Sequence, residues 1–469
     1  MAKSFYITTT LPYVNAAPHL GFALEIIQAD VLARYHKLSG EEVFFNTGTD
    51  EHGQKIYKKA LEEKKEPQVY VDEYAAKFSK LKTSLNLSFN NFIRTTDKNH
   101  IKAAREFWKL CLVNGDIYKA EYKIKYCVGC ELEKTETELV NGKCPLHPNL
   151  NLETLQEENY FFKFSKYQKP LLDLYKNNSD FVVPKFRLEE IKNFVAKGLQ
   201  DFSISRLKEK MPWGVEVPDD PEHVMYVWFD ALINYISAIG WPGSPKEFKK
   251  WWPGVQIAGK DNLRQQSAMW QAMLMSAGLP SSKQILIHGF ITADGQKMSK
   301  SLGNVVDPFW LVENFGSDAL RYYLLKEIPT FSDGDFTLKH FKEVYNADLA
   351  NGLGNLISRV SKLAQGLKSK SLKSSFTQYH ELLENYKFNE ALILVWEKVN
   401  ELNKYINDTK PWTKTGGELE KILEKPLTKI PQIAYLLKPF LPKTSQKIEQ
   451  IFNNGKIKTS EKPLFPRIK

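Results

Sequence analysis

Cysteine is scarce, with four residues in a chain of 469. That excludes a disulfide framework. Three of the four cluster at metal-ligand spacing, which points to a reducing, cytoplasmic compartment. No apolar run reaches the roughly 18 residues of a membrane span, so no membrane partner is expected. Met1-Ala2-Lys3-Ser4 leads directly into a strand pattern, and no secretory signal is visible. No internal period of solenoid type occurs, which excludes a repeat array. Acidic residues fall short of basic ones, 55 Asp+Glu against 65 Lys+Arg, for a net charge of +10. A surplus of this sign fits a polyanionic partner, and equally a lysine-rich surface without one. Apolar residues make up 42% of the chain and aromatics 13%, enough for sizeable cores. A chain this long calls for about two to four domains.

Residues 1–115 alternate strand and helix patterns and read as the first half of a doubly wound, Rossmann-type parallel sheet. Residues 116–213 have a different texture, with a Cys/His cluster and strand-like runs such as Glu158–Phe164, and read as an inserted domain. The α/β texture returns over 214–345, with Met225-Tyr226-Val227-Trp228, Val255-Gln256-Ile257-Ala258 and Ile285–Ile291 as strands of the same split sheet. Over 346–469 the strands stop. Leu349, Leu353, Leu356, Ile357 and Val360, then Leu392, Val395 and Val399, fall at helical spacing and predict an α-helical bundle. A polar loop, Lys368–Ser375, interrupts it.

Two short motifs carry chemistry. Pro18-His19-Leu20-Gly21-Phe22 follows the Phe5–Thr10 strand pattern and precedes an apolar helical run from Ala23 to Tyr35. A helix N-terminus there offers free N–H groups and a positive dipole end to phosphate. Gly21 would let a nucleotide approach the backbone, and His19 would donate to a phosphate oxygen. Lys297-Met298-Ser299-Lys300-Ser301 follows the Ile285–Ile291 run through a Gly-bearing turn, Thr292–Gln296, expected to be mobile. Its lysines could swing onto a phosphate chain and neutralise developing charge. Each motif alone is a common turn or a solvated lysine loop; their joint occurrence after strands is more specific.

Cys127-x-x-Cys130 and Cys144-x-x-His147 form two chelating pairs. Three thiolates and one imidazole fill a tetrahedral zinc site, and four protein ligands make such a site structural rather than catalytic. Cys111 lies in Phe107-Trp108-Lys109-Leu110-Cys111-Leu112 and reads as a core thiol.

Together with Leu11-Pro12-Tyr13-Val14-Asn15, Thr47–Gly53, Tyr226–Ala231, Gly259-Lys260-Asp261 and Asn355–Arg359, these motifs resemble the class I aminoacyl-tRNA synthetases, and within them the methionyl-tRNA synthetases, over essentially the whole chain. The resemblance implies ATP-dependent ligation of methionine to its tRNA through a methionyl-adenylate, with Mg²⁺ accompanying ATP and one structural zinc per chain. It assigns ATP contacts to His19, Gly21, Asp261, Lys297, Ser299 and Lys300, with His19, Lys297 and Lys300 acting in catalysis. It assigns a methionine pocket to Leu11, Tyr13, Asp50, Trp228, Ala231, Tyr235 and His288. Asp50 would hold the α-ammonium, and Tyr235 or His288 would touch the sulfur in a dry, aromatic-walled slot. Anticodon reading falls to Asn355, Arg359 and Trp412. Taken singly, Trp228 and Tyr235 read as core aromatics, Asp261 as a helix cap, and Asn355 with Arg359 as an i,i+4 polar pair.

Two positions depart from the family pattern: Phe22 replaces a second histidine, and Leu232 stands where proline is common. The alternatives are another class I synthetase or a non-catalytic tRNA-binding relative. The intact lysine motif and Asp50 argue against the latter, and an insert of about a hundred residues is too short for the editing inserts of the branched-chain enzymes. A monomer is expected.

Overall fold

The computed structural model describes residues 3–134, 138–298, 304–368, 375–452, 456–459 and 462–468. The chain opens with β1 (Ser4–Thr9), α1 (Leu20–Leu38), β2 (Glu42–Thr49), α2 (Gln54–Glu62) and β3 (Asn91–Arg94). Three β-rich runs follow: β4 (Ile117–Cys127), β5 (Leu132–Lys134) and β6 (Glu153–Phe162). After two helices come β7 (Val182–Val183), β8 (Phe202–Ser203), β9 (Ser205–Leu207), β10 (Glu216–Val217) and β11 (Asp220–Met225). The α/β pattern resumes with β12 (Val255–Gly259) and β13 (Gln284–His288), then β14 (Ile291–Ala293), β15 (Gln296–Lys297) and β16 (Gly334–Phe336).

The main sheet has the order β3-β2-β1-β12-β13-β7 and is parallel throughout. Successive side chains of a strand point to opposite faces, and both faces here are covered, as a parallel sheet requires. Phe5, Ile7, Ile257 and Leu286 join one core, which runs into the C-terminal bundle through Leu353, Ile357, Val395 and Leu436. Tyr6, Ala258, Ile285 and Ile287 join another, which takes in Phe162, Leu171 and Ile191 of the inserted region. The inserted region also supplies β7 to the sheet's edge, while β5-β4-β6-β8 form an antiparallel sheet of their own.

Three of the predicted strand and loop assignments need correction. Ile285–Ile291 is two strands: β13 ends at His288, and β14 belongs to the small sheet β15-β14-β16. The break falls at Gly289, where a Cβ would lie 2.1 Å from the Ser332 carbonyl oxygen, so only glycine lets the two segments pass. Thr292–Gln296 is accordingly no free turn; β14 and β15 form a hairpin about Asp294 and Gly295, both at positive φ. Met225–Trp228 is not a main-sheet strand either. β11 ends at Met225 in the antiparallel sheet β10-β11-β9, and Val227–Ala231 is helical. Hydrophobic run length alone does not separate a strand from a short buried helix.

Beyond β16 the structure is helical. Its longest helices, Phe388–Thr409 and Gly416–Leu437, bury Leu392, Val395, Val399, Ile430 and Ile433. Most of the polar loop, residues 369–374, lies outside the described residues.

Candidate active site

In a doubly wound sheet, ligands sit beyond the carboxyl ends of the strands, where the strand order reverses. Here that point lies between β1 and β12. β1 leads into Thr10–Tyr13, β2 into Asp50, β12 into Asp261, and β13 ends at His288. A cavity of about 660 Å³ opens between these ends. It is lined by every position assigned above to the amino acid, Leu11, Tyr13, Asp50, Trp228, Ala231, Tyr235 and His288, and by His19, Gly21 and Asp261. Residues more than two hundred positions apart thus share one space.

At the mouth, His19 caps α1. Its Nδ1 accepts the Gly21 N–H at 3.1 Å, so the ring proton resides on Nε2, which is left as the donor. A Cβ on residue 21 would sit 2.9 Å from the His19 ring, so Gly21 also makes room for that imidazole. Phe22 is buried and meets Phe78 edge-on at 5.5 Å. It has been absorbed into packing.

Deeper in, Asp50 is buried, and its Oδ1 has no hydrogen-bond partner among the described residues. Burial first, then the charges of Asp230, Glu131 and Glu51, push its carboxyl well above the usual range. Asp230 stands behind, bonded to His52 Nδ1 at 2.7 Å and His100 Nε2 at 2.9 Å. Burial would raise the Asp230 carboxyl, but the two imidazoles outweigh it and hold it at about 2. This buried triad ties the Asp50–Gly53 loop to the helix that carries Trp228 and Ala231.

The apolar end is walled by Trp228, whose Nε1 is likewise unpartnered, and by Tyr235. Gln266 donates its amide N–H to the Tyr235 hydroxyl at 2.7 Å, which leaves the phenolic proton free to point elsewhere. Gln266 sits on a π-helical turn, Gln265–Met269. His288 has no such freedom. Its Nδ1 donates to the Gly289 carbonyl at 2.7 Å, and its Nε2 lies 3.0 Å from Glu25 Oε2. Burial opposes its charged form, but these two acceptors outweigh it and raise its pKa. Glu25 also accepts from Thr10 N–H at 2.8 Å, and so joins α1 to the ends of β1 and β13.

Glu25, Glu131, Gln266 and Phe78 were missed from sequence. Glu25 had one signal, a charge between Leu24 and Ile26 in an apolar helix. Glu131 had another, its place directly after Cys130. Of the lysine motif, Lys297 closes β15, with its side chain outside the described set, and Ser299, Lys300 and Ser301 lie outside the described residues.

Cys127, Cys130, Cys144 and His147 come together with all ligand atoms within 4.8 Å. Cys130 Sγ to Cys144 Sγ is 3.8 Å, Cys127 Sγ to His147 Nδ1 is 3.8 Å, and Cys144 Sγ to the same nitrogen is 4.0 Å. Metal–sulfur bonds of about 2.3 Å give a tetrahedron with edges of about 3.8 Å, so this donor set fits zinc. Four protein ligands leave no open position for catalysis. Cys111 is fully buried in the core beside Phe107 and Trp108.

In the helical region, Arg359 lies 5.0 Å over the ring of Trp412 and donates to Asn407 at 2.8 Å. Trp412 is half exposed, and Asn355 is exposed on the same helix as Arg359. Arg359 thus engages Asn407 and the indole, rather than forming a helix-face pair with Asn355.

Comparison with known proteins bears on the fold and the family. The family model "tRNA synthetases class I (M)" matches residues 5–151 and 135–361. The methionine–tRNA ligase of Thermotoga maritima is 43% identical over 98% of this chain and 76% of its own length. That of Synechocystis is 44% identical over 95% of this chain and 89% of its own. A structure of Mycobacterium tuberculosis methionyl-tRNA synthetase in complex with methionyl-adenylate superposes with a TM-score of 0.92 at 32% identity, covering 99% of this chain and all of that one. Likeness of this extent, in sequence and in shape, means that the chain belongs to the methionyl-tRNA synthetases of class I.

Proposed function

We propose that the cavity between β1 and β12 activates methionine with ATP and passes the methionyl group to tRNA, the ligase reaction of the family. The observation that carries this reading is Asp50: a buried carboxylate with an unpartnered oxygen, at the meeting of an apolar slot and a phosphate-binding helix end. An α-amino acid with an unbranched apolar side chain complements it.

In this reading the methionine ammonium pairs with Asp50. The thioether lies between Trp228, Ala231 and Tyr235, and the free phenolic proton of Tyr235 donates to sulfur. That contact favours methionine over leucine, which has no acceptor to offer. The pair of His288 and Glu25 closes the slot as a fixed polar wall. The carboxylate then faces ATP. His19 Nε2–H and the α1 N-terminus hold phosphate, Asp261 accepts from the ribose hydroxyls, and Lys297 and Lys300 neutralise charge as it develops.

A carboxylate oxygen attacks the α-phosphorus and pyrophosphate leaves; Mg²⁺ accompanying ATP would help to neutralise its charge. A ribose hydroxyl of the tRNA's terminal adenosine next attacks the acyl carbon, and AMP leaves. Positioning and charge stabilisation suffice, so no protein nucleophile is needed. Zinc held by Cys127, Cys130, Cys144 and His147 would fix the fold of the inserted region. The bundle residues Asn355, Arg359 and Trp412 offer base-edge donors and a stacking face to the anticodon. No described helix is long and apolar enough to cross a membrane, and we place the reaction in the cytoplasm. Methionine-dependent exchange of pyrophosphate into ATP, absent with leucine, isoleucine or valine, tests the reading.

A further inference from the structure

Glu131 follows the metal ligand Cys130 and has a φ of 49°, the left-handed conformation that glycine adopts without cost. A bulky residue held there calls for a reason. Its side chain supplies one. Although it leaves the cysteine loop, Glu131 is buried in the wall of the methionine cavity. Its Oε1 accepts from the Tyr13 hydroxyl at 2.9 Å and from the Lys55 backbone N–H at 3.0 Å. Its backbone carbonyl accepts from the Tyr226 hydroxyl. Lys55 returns the contact, with its Nζ donating to the Gly129 carbonyl at 3.3 Å.

These partners belong to the three segments that build the pocket. Tyr13 follows β1. Lys55 stands at the start of α2, just after the Asp50–Gly53 loop. Tyr226 immediately precedes the helix bearing Trp228 and Ala231. One residue therefore touches all three and is joined by a peptide bond to Cys130.

We infer that Glu131 is a positioning residue, through which the order of the Cys₃His centre sets the geometry of the methionine pocket. With the cysteine loop held, the carboxylate fixes Tyr13 and the N-terminus of α2, and with them the wall beside Asp50. With the loop released, the wall loses its common anchor while ATP contacts at His19 and Asp261 keep theirs. This inference rests on the proposed methionine site. Methionine binding by the unaltered protein tests that site, and the variants below test the inference.

The experiment is a tryptophan-fluorescence titration with methionine, without ATP, on zinc-replete protein whose metal content and thermal midpoint are measured alongside. Glu131→Ala removes the acceptor of two hydrogen bonds and should weaken methionine binding by about tenfold or more. Its zinc content and ATP affinity should stay at wild-type values. Glu131→Gln keeps an oxygen for both donors and should recover most of the loss. Removing zinc from the wild type with a chelator should weaken methionine binding to a similar degree, and should add little in Glu131→Ala. Two results would overturn the inference: unchanged methionine affinity in a folded, zinc-loaded Glu131→Ala, or a chelator effect equally large with and without the Glu131 side chain.

Discussion

The guanidinium of Arg321 meets the carboxylate of Asp30 at 2.8 Å, and neither side chain has any solvent exposure. Asp30 lies on α1, the helix that His19 caps. Arg321 also donates to the carbonyls of Phe440 at 2.6 Å and Pro439 at 2.9 Å, at the end of the helix Gly416–Leu437. A single buried cation thus bonds the helix that His19 caps to the helical bundle.

Removing Arg321 leaves the buried Asp30 carboxylate with Arg34 and Ser88 as its remaining partners and takes the donor from the Phe440 and Pro439 carbonyls, a loss of at most about 3–5 kcal/mol. Arg321→Met should therefore lower the thermal midpoint strongly. Adding Asp30→Leu should restore none of it, because Arg34 and the Ser88 N–H then lose their acceptor. A single variant no less stable than wild type would mean that the pair is not a determinant of the packing of α1 on the bundle.

Trp228→Ala opens the slot without touching the phosphate end. Loss of an aromatic wall from a desolvated pocket costs on the order of 2 kcal/mol, or roughly thirtyfold in methionine KM. The KM for ATP should change little. Steady-state pyrophosphate exchange with each substrate varied separately measures both.

The raised carboxyl of Asp50 gives methionine binding a pH dependence. Burial and the neighbouring carboxylates favour the protonated form in the empty pocket, whereas an ammonium favours the ionised form. Binding therefore releases a proton. Affinity should rise with pH across the interval between the bound-state and free-state pKa values, and fall as acid protonates Asp50 at a pH above the ordinary carboxylate range. Asp50→Asn should bind weakly with no such slope. Calorimetric titrations in buffers of different ionisation enthalpy read the proton directly, and a pH-independent wild-type affinity would contradict the assignment.

Phe22 packs edge-on against Phe78 and has no donor to offer a phosphate. The remaining donors then carry the phosphate. His19→Ala removes one donor to a developing charge and should slow adenylate formation at least about a hundredfold. Phe22→His should alter the rate far less. Rapid-quench measurement of adenylate formation separates the two, and a near-wild-type rate in His19→Ala would assign phosphate binding to other groups.

How far the sequence spoke depended on whether a residue's signal was local. The α/β class, the helical C-terminal region and the Cys₃His set were legible because strand period, helical spacing and ligand spacing are local patterns. The cavity-lining set required the family likeness, since Tyr13, Asp50, Trp228 and His288 approach one another only through the strand order. Residues that act through another side chain stayed hidden. Glu25 is only a charge within an apolar helix until His288 is placed beside it, and Glu131 only a neighbour of Cys130 until Tyr13 and Lys55 reach it. The single-strand reading of Ile285–Ile291 failed at Gly289, because the obstacle there is Ser332, distant in sequence.

The most direct measurement is active-site titration. The protein is mixed with methionine, Mg-ATP and pyrophosphatase, then passed through a desalting column. The site described here predicts about one methionyl-adenylate retained per chain, the stoichiometry of a single cavity, and its discharge on addition of cognate tRNA with release of AMP. No retained adenylate, or equal retention with leucine, would contradict the assignment of this cavity to methionine activation.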